Sequence, residues 1–378
     1  VYLSAQIEYV TGNYAEAEKL YNKLNKSSSK NYAIKAQTGL LYTYYQTNQF
    51  AKAKNLTAAL EKKTDEPLKE TMKGFRNKKP YKINWNNNLE ARIPFIINEP
   101  LPVVEVEING KKINAIIDTG ASDFFIDEEM AVKLNIRKLS ANTGKYAGGI
   151  EVKTKNGMAD SLSFNNVTIE NIPVVIASIK QFSALYEGIE INGIVSTGIL
   201  KQFLSTMDYP KGELILRPRN KQGRELLEQY LSGYVIKDET PFILTGSHFI
   251  TAKGSINGKN SLNFFMDSGL ADEKSGLILL KQTMDFTDIP MPKTEKGPQE
   301  GGGLGGNDFE VGEFIVKEFR LGELPAEKNI WALYGILEES FNYEESNGFV
   351  MDGLISHNFL KKYSWTLDFD TMKMIFAQ

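Results

Sequence analysis

Two short stretches of this chain end an apolar run on an acid and follow the acid with a small hydroxyl residue and a glycine. Asp118 closes the run in NAIIDTGASDFF, and Asp267 closes it in NFFMDSGLAD. An unpaired carboxylate is among the costliest groups to take out of water, so an acid set against Ile116, Ile117, Phe124 and Phe125 needs a compensating reason. Two carboxyls in contact cannot both ionise; they share a proton and titrate as a pair. One then acts as a base toward water while the other, neutral, donates to a carbonyl oxygen. That is hydrolysis of a peptide bond without a metal or a covalent intermediate.

The neighbouring residues suit such a pair. Thr119 and Ser268 place a hydroxyl directly after each acid, fit for a reciprocal hydrogen-bond lattice beneath the two carboxyls. Gly120 and Gly269 follow, where a side chain would obstruct the approach of two loops and of a substrate.

The elements that must position these residues are themselves repeated. The stretches starting at Pro94 and Pro241 both run through Ile-Asn-Gly-Lys, a hairpin-turn signal, into the strand that ends on the acid. Further on, NGIVSTGILKQFLSTMDY from Asn192 matches DGLISHNFLKKYSWTLDF from Asp352 without a gap. Gly193 aligns with Gly353, Ser196 with Ser356, Leu200 with Leu360, Lys201 with Lys361, Thr206 with Thr366 and Asp208 with Asp368. Two separated blocks in the same order imply a tandem duplication. The expected β-rich lobes span 94–218 and 241–378, and NKQGRELLEQYLSGY gives the intervening 219–240 a connecting helix.

Residues 1–78 read as helices, rich in Ala, Lys, Glu, Leu and Tyr. GNYAEAEKLYNKL from Gly12 matches NQFAKAKNLTAAL from Asn48, pairing Tyr14 with Phe50, Ala17 with Ala53, Leu20 with Leu56 and Leu24 with Leu60. This recurrence resembles tetratricopeptide (TPR) repeats, whose period is about 34; a plain helical hairpin is the alternative. So few repeats cannot bury a solenoid core, so the segment must dock on the rest of the chain or continue an array. The basic, Asn-rich stretch covering 79–93 reads as a linker.

Taken together, the two acids and their surroundings resemble the aspartic peptidases, specifically the retropepsin-like group. The signature stands as Ile116-Ile117-Asp118-Thr119-Gly120-Ala121 and Phe265-Met266-Asp267-Ser268-Gly269-Leu270. The family's second signature, an apolar element with glycine ahead of a short bracing helix, is similar to Ile191-Asn192-Gly193-Ile194 and Val350-Met351-Asp352-Gly353-Leu354. The resemblance covers all but the helical start. It implies a multidomain α and β chain, with TPR-like hairpins ahead of a bilobal all-β acid-protease-like fold. The implied catalytic residues are Asp118 and Asp267, supported by Thr119, Gly120, Ser268 and Gly269.

The resemblance also implies a cleft that binds an extended peptide beneath a glycine-rich flap. In lobe one the expected flap is Thr143 to Gly157, with Tyr146 pointing into the cleft; in lobe two it is the segment from Gly297 to Phe314. Within the latter, Gly301, Gly303 and Gly306 match a dinucleotide fingerprint formally, but no strand precedes them and no helix follows. Ala121, Asp123, Tyr146, Leu270 and Asp272 are the expected substrate-binding positions. Asp123 and Asp272 fit contact with substrate backbone and fit a cap or turn equally well. Leu270 stands where a small residue is usual, and neither it nor Ala121 offers the dyad a hydroxyl. Fewer donors to an anion raise its pKa, so the expected pH optimum is less acidic than pepsin's. Asp208 and Asp368 read as hairpin-turn residues. His357, with Thr197 at its lobe-one counterpart, reads as a packed histidine.

Composition excludes several other classes. The 378 residues carry 44 basic and 47 acidic side chains, a net charge of -3, with no cysteine and two histidines. Disulfides, thiolate nucleophiles and cysteine-ligated zinc are removed, and His248 with His357 are too few for a multi-histidine centre. No cofactor is expected. The charge gives no nucleic-acid footprint, and no apolar run approaches a membrane span. The expected partners are a peptide or protein substrate and a protein bound through the TPR-like region, with the chain itself a monomer. The chain starts at Val1 without methionine, so both an exported protein with an upstream signal and a cytoplasmic one are open. Two other functions are weighed: a duplicated barrel that binds peptide without cleaving it, and a TPR-based interaction scaffold.

Overall fold

The structure is a computed structural model that describes residues 1–56, 65–76, 78–145, 151–296, 304, 310–335 and 350–378. Helices Tyr2–Val10, Tyr14–Leu24 and Lys30–Gln46 open the chain, followed by a 3-10 segment, Phe50–Asn55, and the helix Asp65–Gly74. Their small residues let the helices close up: Ala5, Ala17, Ala36 and Ala53 are fully buried, and a Cβ at Gly39 would fall 2.3 Å from the Tyr21 ring. The second copy of the helical recurrence begins as 3-10 rather than α-helix. Gln49 provides no side-chain cap there, and no acid stands in the first turn to favour the helix N-terminus.

Beyond the helices lie two six-stranded barrels with the same strand order. In the first, the neighbours run Val103–Ile108, Lys111–Asp118, Gly193–Ser196, Phe124–Asp127, Val167–Ala177 and Glu151–Phe164, which pairs back to the first strand. In the second they run Phe249–Ile256, Lys259–Met266, Gly353–Ile355, Leu277–Leu279, Glu327–Tyr334 and Glu310–Leu321, closing on Phe249–Ile256. The Asn-Gly pairs turn the hairpins with both residues left-handed, at φ 48° and 81° for Asn109 and Gly110 and 49° and 81° for Asn257 and Gly258.

A shared sheet joins the barrels. It runs Ala91–Pro94, Glu213–Pro218, Phe203–Asp208, Ser364–Asp368, Lys373–Ala377 and Ile236–Thr245. At its centre Ser205 pairs with Leu367, Thr206 with Thr366 and Met207 with Trp365, so the register is symmetric about the two threonines. The helix Lys221–Leu231 connects the halves, and the strand after it starts at Ile236, ahead of the boundary expected at 241.

Residues 79–93, expected as a linker, are built into the sheets. Lys82–Trp85 pairs with Val167–Glu170, and Ala91–Pro94 pairs with Leu216–Glu213. Pairing with these edges satisfies the backbone groups of KINW and ARIP, a partner that four-residue segments flanked by asparagines do not announce in the sequence. The helical segment docks on both barrels, and its buried residues belong to one apolar core with theirs. Tyr45 stacks on Phe50, which meets Phe75 edge-on, and Gly12 seats against Met372. Among the described residues, no helix is long and apolar enough to cross a membrane.

Candidate active site

Each acid stands at the end of a strand held by the same crossing. Lys111–Asp118 runs parallel to Gly193–Ser196, which pairs antiparallel with Phe124–Asp127. Lys259–Met266 likewise runs parallel to Gly353–Ile355, which pairs antiparallel with Leu277–Leu279. A four-residue helix follows each inner strand, Thr197–Leu200 and His357–Leu360. These helices brace the acid-bearing loops from behind. The Thr197 N–H donates to Ala121 O at 3.2 Å and Gly198 N–H to Ser122 O at 2.7 Å; the His357 N–H donates to Leu270 O at 3.2 Å.

The Asp118 and Asp267 carboxyls stand close together, each against the glycine of the opposite loop, and each shifts the titration of the other. Beneath them Thr119 N–H donates to Ser268 Oγ at 3.0 Å, and Ser268 N–H donates to Thr119 Oγ1 at 3.0 Å. Thr119 Oγ1 in turn donates to Met266 O at 2.8 Å, and Ser268 Oγ points to Ile117 O at 3.5 Å. The glycines admit this contact: a Cβ on Gly120 would lie 2.6 Å from Asp267 Oδ1, and one on Gly269 would lie 2.1 Å from Asp118 Cγ. Their N–H groups donate to the acids, Gly120 to Asp118 Oδ1 at 2.7 Å and Gly269 to Asp267 Oδ1 at 3.1 Å.

Burial raises the pKa of Asp118, partly offset by the Gly120 and Gly269 amides and the Asp267 hydrogen bond. Burial pushes Asp267 well above the ordinary carboxyl value, and the neighbouring Asp118 charge pushes it further. The pair therefore holds one proton through a pH range in which a free carboxyl would be ionised, and its two titration steps belong to both groups.

The remaining expected site residues divide. Ala121 packs with Phe125, Val175, Ala177, Ile179 and Ile194 beside Asp118. Leu270 folds back onto its own barrel, against the cluster of Phe265, Ile278, Leu333, Met351 and Leu354. Asp272 forms a turn, accepting from the N–H groups of Lys274 and Ser275 at 3.1 and 2.7 Å. Asp123, expected at the cleft edge or as a cap, accepts on Oδ1 from the Tyr45 hydroxyl at 2.6 Å and the Tyr81 hydroxyl at 3.1 Å. The docked helices supply Tyr45, and no local pattern around Asp123 announces them. The hairpin expected as the first flap is described up to Lys145 and from Glu151, which pair with each other. Tyr146, Gly301, Gly303 and Gly306 lie outside the described residues.

Asp208 and Asp368 lie at hairpin turns and tie down the connecting helix. Tyr230 donates to Asp208 Oδ2 at 2.6 Å, and Arg224 to Asp368 Oδ2 at 2.8 Å. His357 is buried against Tyr209, 5.1 Å between ring centroids, and burial lowers its pKa to about 4. Among the described residues, no cluster of three His, Asp or Glu side chains is arranged to hold a metal ion.

Several residues near the pair escaped the sequence reading. Tyr186 is buried, donates to Leu101 O at 3.2 Å and feels the Asp118 charge. Burial lowers the pKa of His248 to about 4, partly offset by the neighbouring Gly120 backbone. A signal existed for it: His248 stands as far before Asp267 as Glu99 stands before Asp118.

Comparison with known proteins agrees with the chemistry of the first barrel. Residues 104–200 match the family model described as aspartyl protease. The matched segment contains Asp118, Thr119, Gly120 and the brace Thr197–Leu200, and it supports a hydrolase of the aspartic peptidase type. No curated protein matches the chain. Among solved structures, the crystal structure of a retropepsin-like aspartic protease from Rickettsia conorii aligns at 18% identity with a TM-score of 0.24, covering 36% of this chain and 94% of that one.

Proposed function

We propose that the chain is a single-chain aspartic endopeptidase of retropepsin type, made of two tandem lobes behind a TPR-like helical module. The observation that carries this reading is the contact between the Asp118 and Asp267 carboxyls over the reciprocal Thr119 and Ser268 lattice. The extended substrate lies between the barrels and is bound largely through its backbone, as in strand addition. Asp118 takes a proton from water as the oxygen attacks the scissile carbonyl carbon, and Asp267 gives its proton to the carbonyl oxygen. The tetrahedral adduct then collapses: Asp118 passes its proton to the amide nitrogen as the carbon–nitrogen bond breaks, and Asp267 takes a proton back from a hydroxyl of the adduct, which restores the pair.

Three further features support activity over a peptide-binding relic. The glycines leave room for both carboxyls, both acids keep some exposure, and Leu270 packs on its own barrel. The test is incubation with an unstructured polypeptide, with and without a hydroxyl-bearing transition-state mimic of the pepstatin type. Cleavage that the mimic suppresses is expected. Binding of the mimic without cleavage over pH 3 to 8 would favour the inactive form; neither binding nor cleavage would leave the helical module as the functional element.

A further inference from the structure

The two barrels approach each other's braces through corresponding loops, and they do so unequally. On one side Glu99, in the loop before Val103–Ile108, reaches the opposite brace directly: Lys361 Nζ donates to Glu99 Oε1 at 2.9 Å, and His357 Nε2 lies 3.6 Å from Oε2. On the other side the corresponding loop, Gly246-Ser247-His248, has no carboxylate to offer Lys201, the counterpart of Lys361.

The helical module fills that gap. Gln46, the last residue of the helix Lys30–Gln46, accepts from Lys201 Nζ on Oε1 at 2.7 Å. Its Nε2 donates to Gly246 O and Ser247 O, both at 3.1 Å. The orientation of the amide is forced, because lysine only donates and the two carbonyls only accept. Tyr9 adds a second donor to Gly246 O. Tyr45 lays its ring 4.2 Å from Lys201 Nζ while its hydroxyl holds Asp123, five residues beyond Asp118. Gln46 and Lys201 are both buried. Asp123, Arg219 and His248 are the other ionisable groups that face Lys201.

We propose that Gln46 is a positioning residue for the aspartate pair, supplying from the helical module the link between barrels that Glu99 supplies on the opposite side. The loop it fixes carries His248, whose Nδ1 shares a hydrogen bond with Ser247 Oγ at 2.8 Å and whose ring stands beside the Gly120 backbone. Gly120 donates to Asp118. Gln46 thus acts on Asp118 through two loops and touches no reacting atom. The helical module is accordingly part of the catalytic unit, and this inference rests on the peptidase reading for its kinetic consequence only.

The test compares Gln46→Leu, Gln46→Glu and, as a control for general weakening of the module, Ala17→Gly in the full chain. Two quantities are read: the kcat and KM for a cleaved peptide, and the two-step titration of Asp118 and Asp267 by 13C resonance of labelled aspartate carboxyls, assigned with Asp118→Asn. Gln46→Leu is expected to lower kcat by about tenfold to a hundredfold with KM little changed, and to bring the two titration steps closer together. Gln46→Glu, which keeps the lysine contact and loses the donors to the loop, is expected to fall between Gln46→Leu and wild type. Ala17→Gly is expected to change neither quantity. An unchanged titration in Gln46→Leu, or an equal loss in Ala17→Gly, would overturn the proposal. If the wild-type chain cleaves nothing, the peptidase reading fails, and the carboxyl titration still decides the role of Gln46.

Discussion

Thr206 and Thr366 face each other across the central sheet with their hydroxyl oxygens 2.7 Å apart, at the one register position where a residue of the first half meets its own counterpart in the second. The approximate twofold relation between the barrels passes through this pair. Arg217, fully buried, donates to Thr206 Oγ1 at 3.0 Å and to Glu90. Thr206→Val removes the acceptor and leaves a buried guanidinium donor unpaired, at a cost of about 1 to 3 kcal/mol. Urea unfolding should show that loss, while Thr206→Ser, which keeps the acceptor and loses one buried methyl, costs about 0.8 kcal/mol.

The pH profile of cleavage follows from the pair. The base must be ionised and the acid protonated, so the rate rises as pH passes the lower step and falls as it passes the upper one. Burial raises both carboxyls, and the Asp118 charge raises Asp267 further. The bell-shaped profile of kcat/KM is therefore expected at mildly acidic to near-neutral pH. A maximum below about pH 3 would contradict the environment assigned to the pair.

The same shift makes the site a cost to stability. Folded Asp267 keeps its proton at pH values where the unfolded chain releases it, so the folded state binds more protons. Stability contributed by this group accordingly falls as pH rises from the ordinary value of 3.8 through the raised one. Asp267→Asn is expected to melt a few degrees above wild type at pH 7, with the gap closing below pH 3.8. Calorimetry at the two pH values measures it.

Asp123 anchors the helical module to the loop that follows Asp118. Asp123→Ala strands the Tyr45 and Tyr81 hydroxyls and removes the carboxylate facing Lys201, whose pKa burial lowers to about 7. A loss of about 2 kcal/mol is expected by denaturant unfolding. Hydrogen exchange should speed up in the helix Lys30–Gln46 if the anchor acts there.

What the sequence disclosed was what it repeated. Asp118 and Asp267, their hydroxyl neighbours and glycines, and the Asn-Gly hairpins are local patterns that occur twice, and each carries a requirement that only a few residue types meet. The helical character of the first residues was legible as well, though the second copy of the recurrence starts as a 3-10 segment, Phe50–Asn55. The contacts made by docking were not legible. Nothing near Asp123 signals that Tyr45 will reach it across the chain, and nothing in KINW or ARIP distinguishes a linker from an edge strand until a partner edge is present. Gln46 and Lys201 are ordinary polar residues in sequence and become informative only when both are buried against each other.

The most direct measurement is cleavage of an unstructured polypeptide, followed by mass spectrometry, for the wild-type chain, Asp118→Asn and Asp267→Asn at matched folded concentrations. Wild type is expected to cut peptide bonds, and both variants are expected to lose all measurable cleavage while remaining folded. Undiminished cleavage in either variant would contradict the assignment of hydrolysis to the Asp118 and Asp267 pair.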